Sequence, residues 1–80
     1  MGETLRDLRR AANLTQLQVA QALGLDHRGY MRRETGRAKL TAEESLKLAE
    51  LFGVPVERVI RARRVAEDGR RDYWRRKVTA

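Results

Sequence analysis

A cluster of nitrogen-rich side chains occupies the middle of this 80-residue sequence, where His27, Arg28, Arg32 and Arg33 fall within two helical turns. A guanidinium group carries its N–H donors in a fixed fork, which suits bidentate bonding to phosphate oxygens and to guanine. Fifteen of the 18 basic residues are arginine rather than lysine, although GC-rich coding would also enrich arginine. The cluster could therefore recognise an anion or the edge of a base.

The residues before this cluster carry the signals of a short helix. Thr15 and Gln18 have the spacing of a capping box, in which each side chain binds a backbone N–H that the helix leaves free. Gly24 is a residue that commonly ends a helix in the left-handed conformation. The pattern predicts a helix over residues 16–23.

The cluster itself lies in a second helix, predicted over residues 27–35. Asp26 can cap its first turn, and Gly36 stops it. A helix, a short turn that contains glycine and a basic second helix form the helix-turn-helix pattern. The sequence therefore predicts binding to double-stranded DNA.

Three further helices complete the predicted fold, which is all-α, a compact five-helix bundle. The first covers residues 3–12 and is stopped by Asn13. Thr41 and Glu44 form another capping box, which opens a helix through Phe52. The fifth helix follows Pro55. The apolar residues predicted to face the core are Leu5, Leu8, Ala12, Val19, Ala20, Leu23, Leu48, Ala49 and Phe52.

Two segments are predicted, a DNA-binding domain over residues 1–60 and a basic C-terminal extension over 61–80, helical or partly disordered. A heptad-like seam runs through the second segment, so the extension is either a dimerisation helix or a solvated basic tail anchored by Tyr73 and Trp74. The residues of the seam are Val59, Ala62, Ala66, Gly69 and Tyr73.

The charge balance supports a polyanionic partner. The net charge is +7 and the isoelectric point is about 11.0, and a value above roughly 9 is expected of a nucleic-acid-binding domain. Anionic membrane surfaces would also attract such a chain. The positive charge is concentrated in residues 24–39 and 56–80, which contain the basic helix and the C-terminal extension.

The residue inventory argues against several other classes of protein. Without cysteine and with a single histidine, neither a disulfide nor a conventional zinc site is expected, and no cofactor is predicted. An enzyme is not expected, because the chain has no phosphate-binding glycine loop and no carboxylate pair in an apolar setting. No apolar run is long enough to span a membrane, and we expect a soluble cytoplasmic protein.

A series of short motifs resembles the lambda-repressor-like, or Xre, helix-turn-helix family over about residues 4–60, without an insertion. In chain order the motifs are LRDLR (5–9), LTQ (14–16), VA (19–20), LGL (23–25), GR (36–37), LKLA (46–49) and FGV (52–54), with Tyr30 and Glu34 between them. The resemblance implies that the helix from His27 lies in the major groove, with its first residues on base edges.

The family pattern assigns base contacts to His27, Arg28 and Arg32. The two arginines are one helical turn apart, so both can point the same way. An arginine paired with guanine O6 and N7 discriminates against a wrong base by about 1–3 kcal/mol.

The same resemblance assigns DNA-backbone contacts to Gln16, Arg37 and Lys39. In the family, the glutamine at the position of Gln16 either touches a phosphate or braces a base-reading side chain. Arg9 and Glu34 occupy positions that form a structural ion pair between the first and third helices. This pair would link the basic helix to the core.

Two residues depart from the family pattern. Arg33 stands where relatives usually have a large apolar residue, so either its side chain extends out to solvent along its stem or the basic helix is tilted. Gly29 replaces a more common serine or threonine. Leu17 and Met31 are apolar residues expected at the surface.

The resemblance implies a transcriptional regulator, a repressor in the leading interpretation, that binds an inverted-repeat operator as a homodimer. The alternative is an antitoxin or another protein-interaction module with the same fold. In that case Leu17 and Met31 would contact a protein partner.

Overall fold

Five α-helices lie within residues 2–65, the portion of the chain that the computed structural model describes. The helices are α1 (Leu5–Ala11), α2 (Gln16–Leu23), α3 (His27–Glu34) and α4 (Ala42–Phe52), followed by α5, which occupies 56–65. No strand occurs in that portion. The predicted all-α fold is confirmed.

Capping boxes open three of these helices. The predicted box at α2 is present, with the Thr15 backbone N–H donating to Gln18 Oε1 at 2.8 Å, and the predicted box at α4 is present as well. The third box was not predicted. The Thr4 hydroxyl accepts from the backbone N–H of Asp7 at 3.1 Å, so α1 begins after Thr4 rather than at residue 3.

Glycines in the left-handed backbone conformation end α2 and α4, at the positions predicted from the sequence. Gly24 and Gly53 adopt φ angles of 72° and 67°, and their N–H groups bond back to carbonyls of the preceding turn. Asn13 also adopts a positive φ of 59°. It follows the end of α1 and turns the chain toward α2.

The core lies where α2, α3 and α4 meet, with α1 packed against α4. Tyr30 is its largest fully buried side chain. The predicted core residues are all buried except Ala12, which is partly buried and packs against the cluster. The buried apolar residues are Leu5, Leu8, Val19, Ala20, Leu23, Tyr30, Leu40, Leu48, Ala49, Phe52, Val59 and Ala62.

The first residues of the predicted seam belong to this core. Val59 is 0% exposed and Ala62 is 1% exposed, so the packed unit continues past residue 60. Their burial leaves neither side chain available to a second copy in this conformation. The rest of the seam, from Ala66, lies outside the described residues, and the division at residue 60 stays a prediction.

Candidate nucleic-acid interface

Helix α3 is held with one side in the core and the other at the surface. Tyr30 is fully buried, whereas His27, Arg28 and Arg32 are exposed. At the start of the helix, Asp26 Oδ1 accepts from the backbone N–H of Gly29 at 2.7 Å. The capping carboxylate and the buried tyrosine therefore fix which side chains face outward.

The capping carboxylate also explains the departure at Gly29. A Cβ atom at this position would lie 2.7 Å from Asp26 Oδ1, closer than real Cβ contacts allow. A serine or threonine here would displace the cap. The glycine thus leaves room for the capping carboxylate at the start of α3.

A surface depression of about 490 Å³ brings three cationic side chains together. Arg28 and Arg32 of α3 line it with Arg37 from the following loop, alongside Met31 and Thr35. No acidic side chain from the described residues lines it. The depression is therefore a concave cationic surface, which suits a phosphate group or the acceptor edge of a base.

Gln16 and His27 line a second depression, of about 570 Å³. Arg6 and Arg10 of α1 line it too, and the sequence analysis did not single them out as candidate site residues. Their four-residue spacing on an exposed helix face was the signal that could have identified them. Both are exposed, so the second depression is also rich in positive charge.

Lys39 stands apart from the other predicted site residues. It is exposed, but it lines neither of the two depressions. The structure thus groups Arg28, Arg32 and Arg37 in one place and Gln16 with His27 in another.

A buried ion pair joins α1 to α3. Arg9 donates from Nε to Glu34 Oε2 at 2.9 Å and from Nη2 to Oε1 at 3.2 Å. Its remaining Nη1 donates to the backbone oxygen of Leu14 at 2.9 Å. The side chains of Arg9 and Glu34 are 10% and 4% exposed. This bidentate pair therefore fixes α3 and the α1–α2 connection relative to each other.

The local environment keeps this pair ionised. Burial by itself would raise the pKa of Glu34, but its hydrogen bonds, those from Arg9 above all, outweigh burial and hold the pKa below its ordinary value. The hydrogen bonds with Glu34 raise the pKa of Arg9. Nearby, burial and the charge of Glu34 raise the pKa of the Tyr30 hydroxyl, which is buried and has no hydrogen-bond partner among the described residues.

Gln16 connects the buried pair to the surface. Its Nε2 donates to Glu34 Oε1 at 3.3 Å, and its Oε1 lies 2.9 Å from His27 Nε2. Of the two roles that the family pattern allows, this is the geometry of a glutamine that braces another side chain. His27 is thereby tied to the interior through Gln16 and Glu34.

Arg33 is accommodated by an ion pair between helices. Its Nε donates to Glu44 Oε1 of α4 at 3.1 Å, and its Nη1 donates to the backbone oxygen of Gly29 at 2.8 Å. The side chain is only 21% exposed, so the expectation that it extends out to solvent is wrong. Glu44, in the acidic first turn of α4, is therefore the partner that allows an arginine at a position where the family pattern has an apolar residue.

Other features of the described residues bear on the class of site. Leu17 and Met31 are 52% and 40% exposed, as expected. No group of three or more histidine, aspartate or glutamate side chains within residues 2–65 is arranged to hold a metal ion. No helix in this portion is long and apolar enough to cross a membrane.

Comparison with known proteins gives two matches. The sequence model of a helix-turn-helix family matches residues 5–59. A protein of Methanocella arvoryzae, named provisionally as an HTH-type transcriptional regulatory protein, is 42% identical over 55 residues. The aligned segment covers 69% of this chain and 17% of that relative, so the chain spans less than a fifth of the relative's length. No solved structure matches the chain.

Proposed function

The chain belongs to the helix-turn-helix family, and from this premise we propose that it is a DNA-binding transcriptional regulator, a cytoplasmic repressor that reads the major groove of an inverted-repeat operator as a homodimer. Helix α3 enters the groove, because the second helix of the motif is the recognition helix. His27, Arg28 and Arg32 then contact bases.

The observation that carries this proposal is the cationic depression. Arg28, Arg32 and Arg37 line one concave surface, and the side chains of Arg28 and Arg32 make no hydrogen bond or ion pair within the described portion of the chain. Cations gathered without internal partners are available to an external anion. Arg28 and Arg32 read bases, while Arg37 holds the phosphate backbone together with Lys39.

Residues around the second depression supply further contacts with the backbone. The exposed Arg6 and Arg10 flank Gln16 at the start of α2, where the free N–H groups of the first turn favour a phosphate. Gln16 can offer its amide group to the same phosphate. Two separate contacts, at α2 and at the loop after α3, would fix the register of α3 in the groove.

Dimerisation is proposed because a single copy has few base-contacting side chains. Three base-contacting side chains discriminate too few positions for useful specificity, because each mismatched base pair costs only about 1–3 kcal/mol. Two copies on half-sites about 34–36 Å apart double that number.

The experiment is selection of bound sequences from a random duplex library. The expected result is an enriched palindrome. The Arg28→Ala/Arg32→Ala double variant should lose the enrichment, whereas Lys47→Ala/Arg61→Ala, which removes two exposed cations outside both depressions, should retain it. Equal enrichment by both double variants, or none by the unmodified chain, would contradict the proposal.

The exposed Leu17 and Met31 favour a second candidate, a protein-interaction module such as an antitoxin. Apolar side chains at 52% and 40% exposure on α2 and α3 could contact a protein. In that case Leu17→Ser/Met31→Ser would abolish binding to a protein partner, and Arg28→Ala/Arg32→Ala would leave it intact.

A further inference from the structure

Four side chains form a continuous run of hydrogen bonds from the core to the surface of α3. Arg9 donates to Glu34 at 2.9 Å and 3.2 Å, Gln16 bonds to Glu34 at 3.3 Å, and His27 lies 2.9 Å from Gln16. Because each link needs one donor and one acceptor, the direction of the first bond decides the direction of the last.

The arginine and the carboxylate set this direction. A guanidinium group can only donate, and an ionised carboxylate can only accept. The Gln16 atom that faces Glu34 must therefore be the amide nitrogen. A flipped amide would place its oxygen against the carboxylate oxygen at 3.3 Å, with no hydrogen between them. The Gln16 carbonyl oxygen is consequently directed at the imidazole ring.

This orientation selects one tautomer of His27. A nitrogen 2.9 Å from a carbonyl oxygen must carry a hydrogen, so the proton of the neutral ring is on Nε2. The other nitrogen, Nδ1, then has a lone pair and can only accept. His27 is exposed at the first position of α3, so Nδ1 is the remaining polar atom that the ring can offer to a base.

We propose that His27 reads the exocyclic amino group of an adenine or a cytosine, with Nδ1 as the acceptor. In the major groove, adenine N6 and cytosine N4 are donors, whereas guanine offers only acceptors, and thymine offers an acceptor and a methyl group. A guanine beneath His27 would set an oxygen or nitrogen lone pair against that of Nδ1. This inference rests on the proposed function, and it distinguishes His27 from Arg28 and Arg32, which favour guanine.

The locked tautomer can be tested on the free protein. His27 is the single histidine, so long-range ¹⁵N–¹H correlation spectra report its ring without ambiguity at a pH where the ring is neutral. The unmodified chain should show only the form protonated at Nε2. In Gln16→Leu the form protonated at Nδ1 should become detectable. Identical tautomer populations in the two proteins would overturn the inference.

The assignment of the base that His27 contacts is tested with DNA. Selected sites for the unmodified chain and for His27→Ala should differ at one position per half-site, and that position should carry adenine or cytosine. A synthetic duplex that lacks only this amino group, with purine for adenine or 2-pyrimidinone for cytosine, should bind the unmodified chain about two- to twelvefold more weakly. Its affinity for His27→Ala should be unchanged.

The outcomes separate this inference from the proposed function. Guanine or thymine at that position, or no difference between the two selected sites, overturns the role of His27 while DNA binding stands. An unmodified chain that enriches no duplex overturns the proposed function, and the base assignment with it. The tautomer measurement is independent of both results.

Discussion

Arg33 of α3 and Thr41 at the start of α4 share one acceptor, because Glu44 Oε1 receives the Arg33 Nε–H at 3.1 Å and the Thr41 backbone N–H at 3.0 Å. The carboxylate thus closes the capping box of α4 and also holds α3 against that helix. Arg33, which departs from the family pattern, is thus part of the packing between α3 and α4.

Two substitutions at Glu44 should separate these roles. Glu44→Gln keeps an oxygen for Thr41 and loses only the charge, so the free energy of unfolding should fall by less than about 1 kcal/mol. Glu44→Ala also removes the hydrogen bond that Glu44 accepts from Thr41, which should cost a further amount of about 0.5–1.5 kcal/mol. Urea denaturation measures both. Glu43→Ala, at an exposed site in the same turn, is the control, and equal losses for the two Glu44 variants would contradict the shared role.

Removal of one partner from the buried Arg9–Glu34 pair should lower the free energy of unfolding more than either Glu44 substitution does. Arg9→Met leaves the Glu34 carboxylate buried without its cation, and the free energy of unfolding should fall by about 3–5 kcal/mol. Arg58→Met is the matched control. It breaks the Glu3–Arg58 pair, whose side chains are 40% and 45% exposed, and water can replace that contact. Similar chemical denaturation midpoints for the two variants would show that the buried pair contributes little.

The lowered pKa of Glu34 predicts a specific loss of stability in acid. The unfolded chain, whose glutamates titrate near the ordinary value of 4.5, takes up a proton at this position before the folded chain does. The stabilisation is therefore complete above pH 4.5 and is lost as the pH falls through the lower folded value. Urea midpoints measured over this range should fall more steeply for the unmodified chain than for Glu34→Gln. Parallel curves would contradict the prediction.

Contacts with phosphates and with bases should respond differently to salt. Arg37→Ala should weaken binding to all duplexes alike and reduce the slope of log affinity against log salt by about 0.9. Arg32→Ala should instead relax the preference at one base position, by about 1–3 kcal/mol. Fluorescence anisotropy titrations over a salt series measure both quantities. A loss of base preference in Arg37→Ala would reverse the two assignments.

The beginnings and ends of the helices could be predicted well from the sequence. Thr15 with Gln18 and Thr41 with Glu44 satisfy backbone groups within one turn, and Gly24 adopts a left-handed conformation that most other residues avoid. Such features depend only on neighbours along the chain. The box at Thr4 escaped notice because Asp7 takes the place that glutamate or glutamine usually occupies.

Contacts between helices were less accessible from the sequence. The partner of Arg33 is Glu44, and the two meet only because α3 packs close to the first turn of α4. Spacing along one helix defines a face, but it does not say which residue of another helix lies opposite. The run from Glu34 through Gln16 to His27 was hidden for the same reason, although a bracing role for Gln16 was among the expectations.

The hydrogen-bond run from Arg9 to His27 divides the surface of α3 into two kinds of position. A substitution at His27 leaves the Gln16 carbonyl without its donor, whereas the side chains of Arg28 and Arg32 have no hydrogen-bonding partner among residues 2–65. Exchanging either arginine therefore breaks no hydrogen bond or ion pair within residues 2–65. Natural or selected variants of this domain should therefore acquire new operator preferences first at the base pairs that Arg28 and Arg32 contact. The preference at the base that His27 contacts should change last.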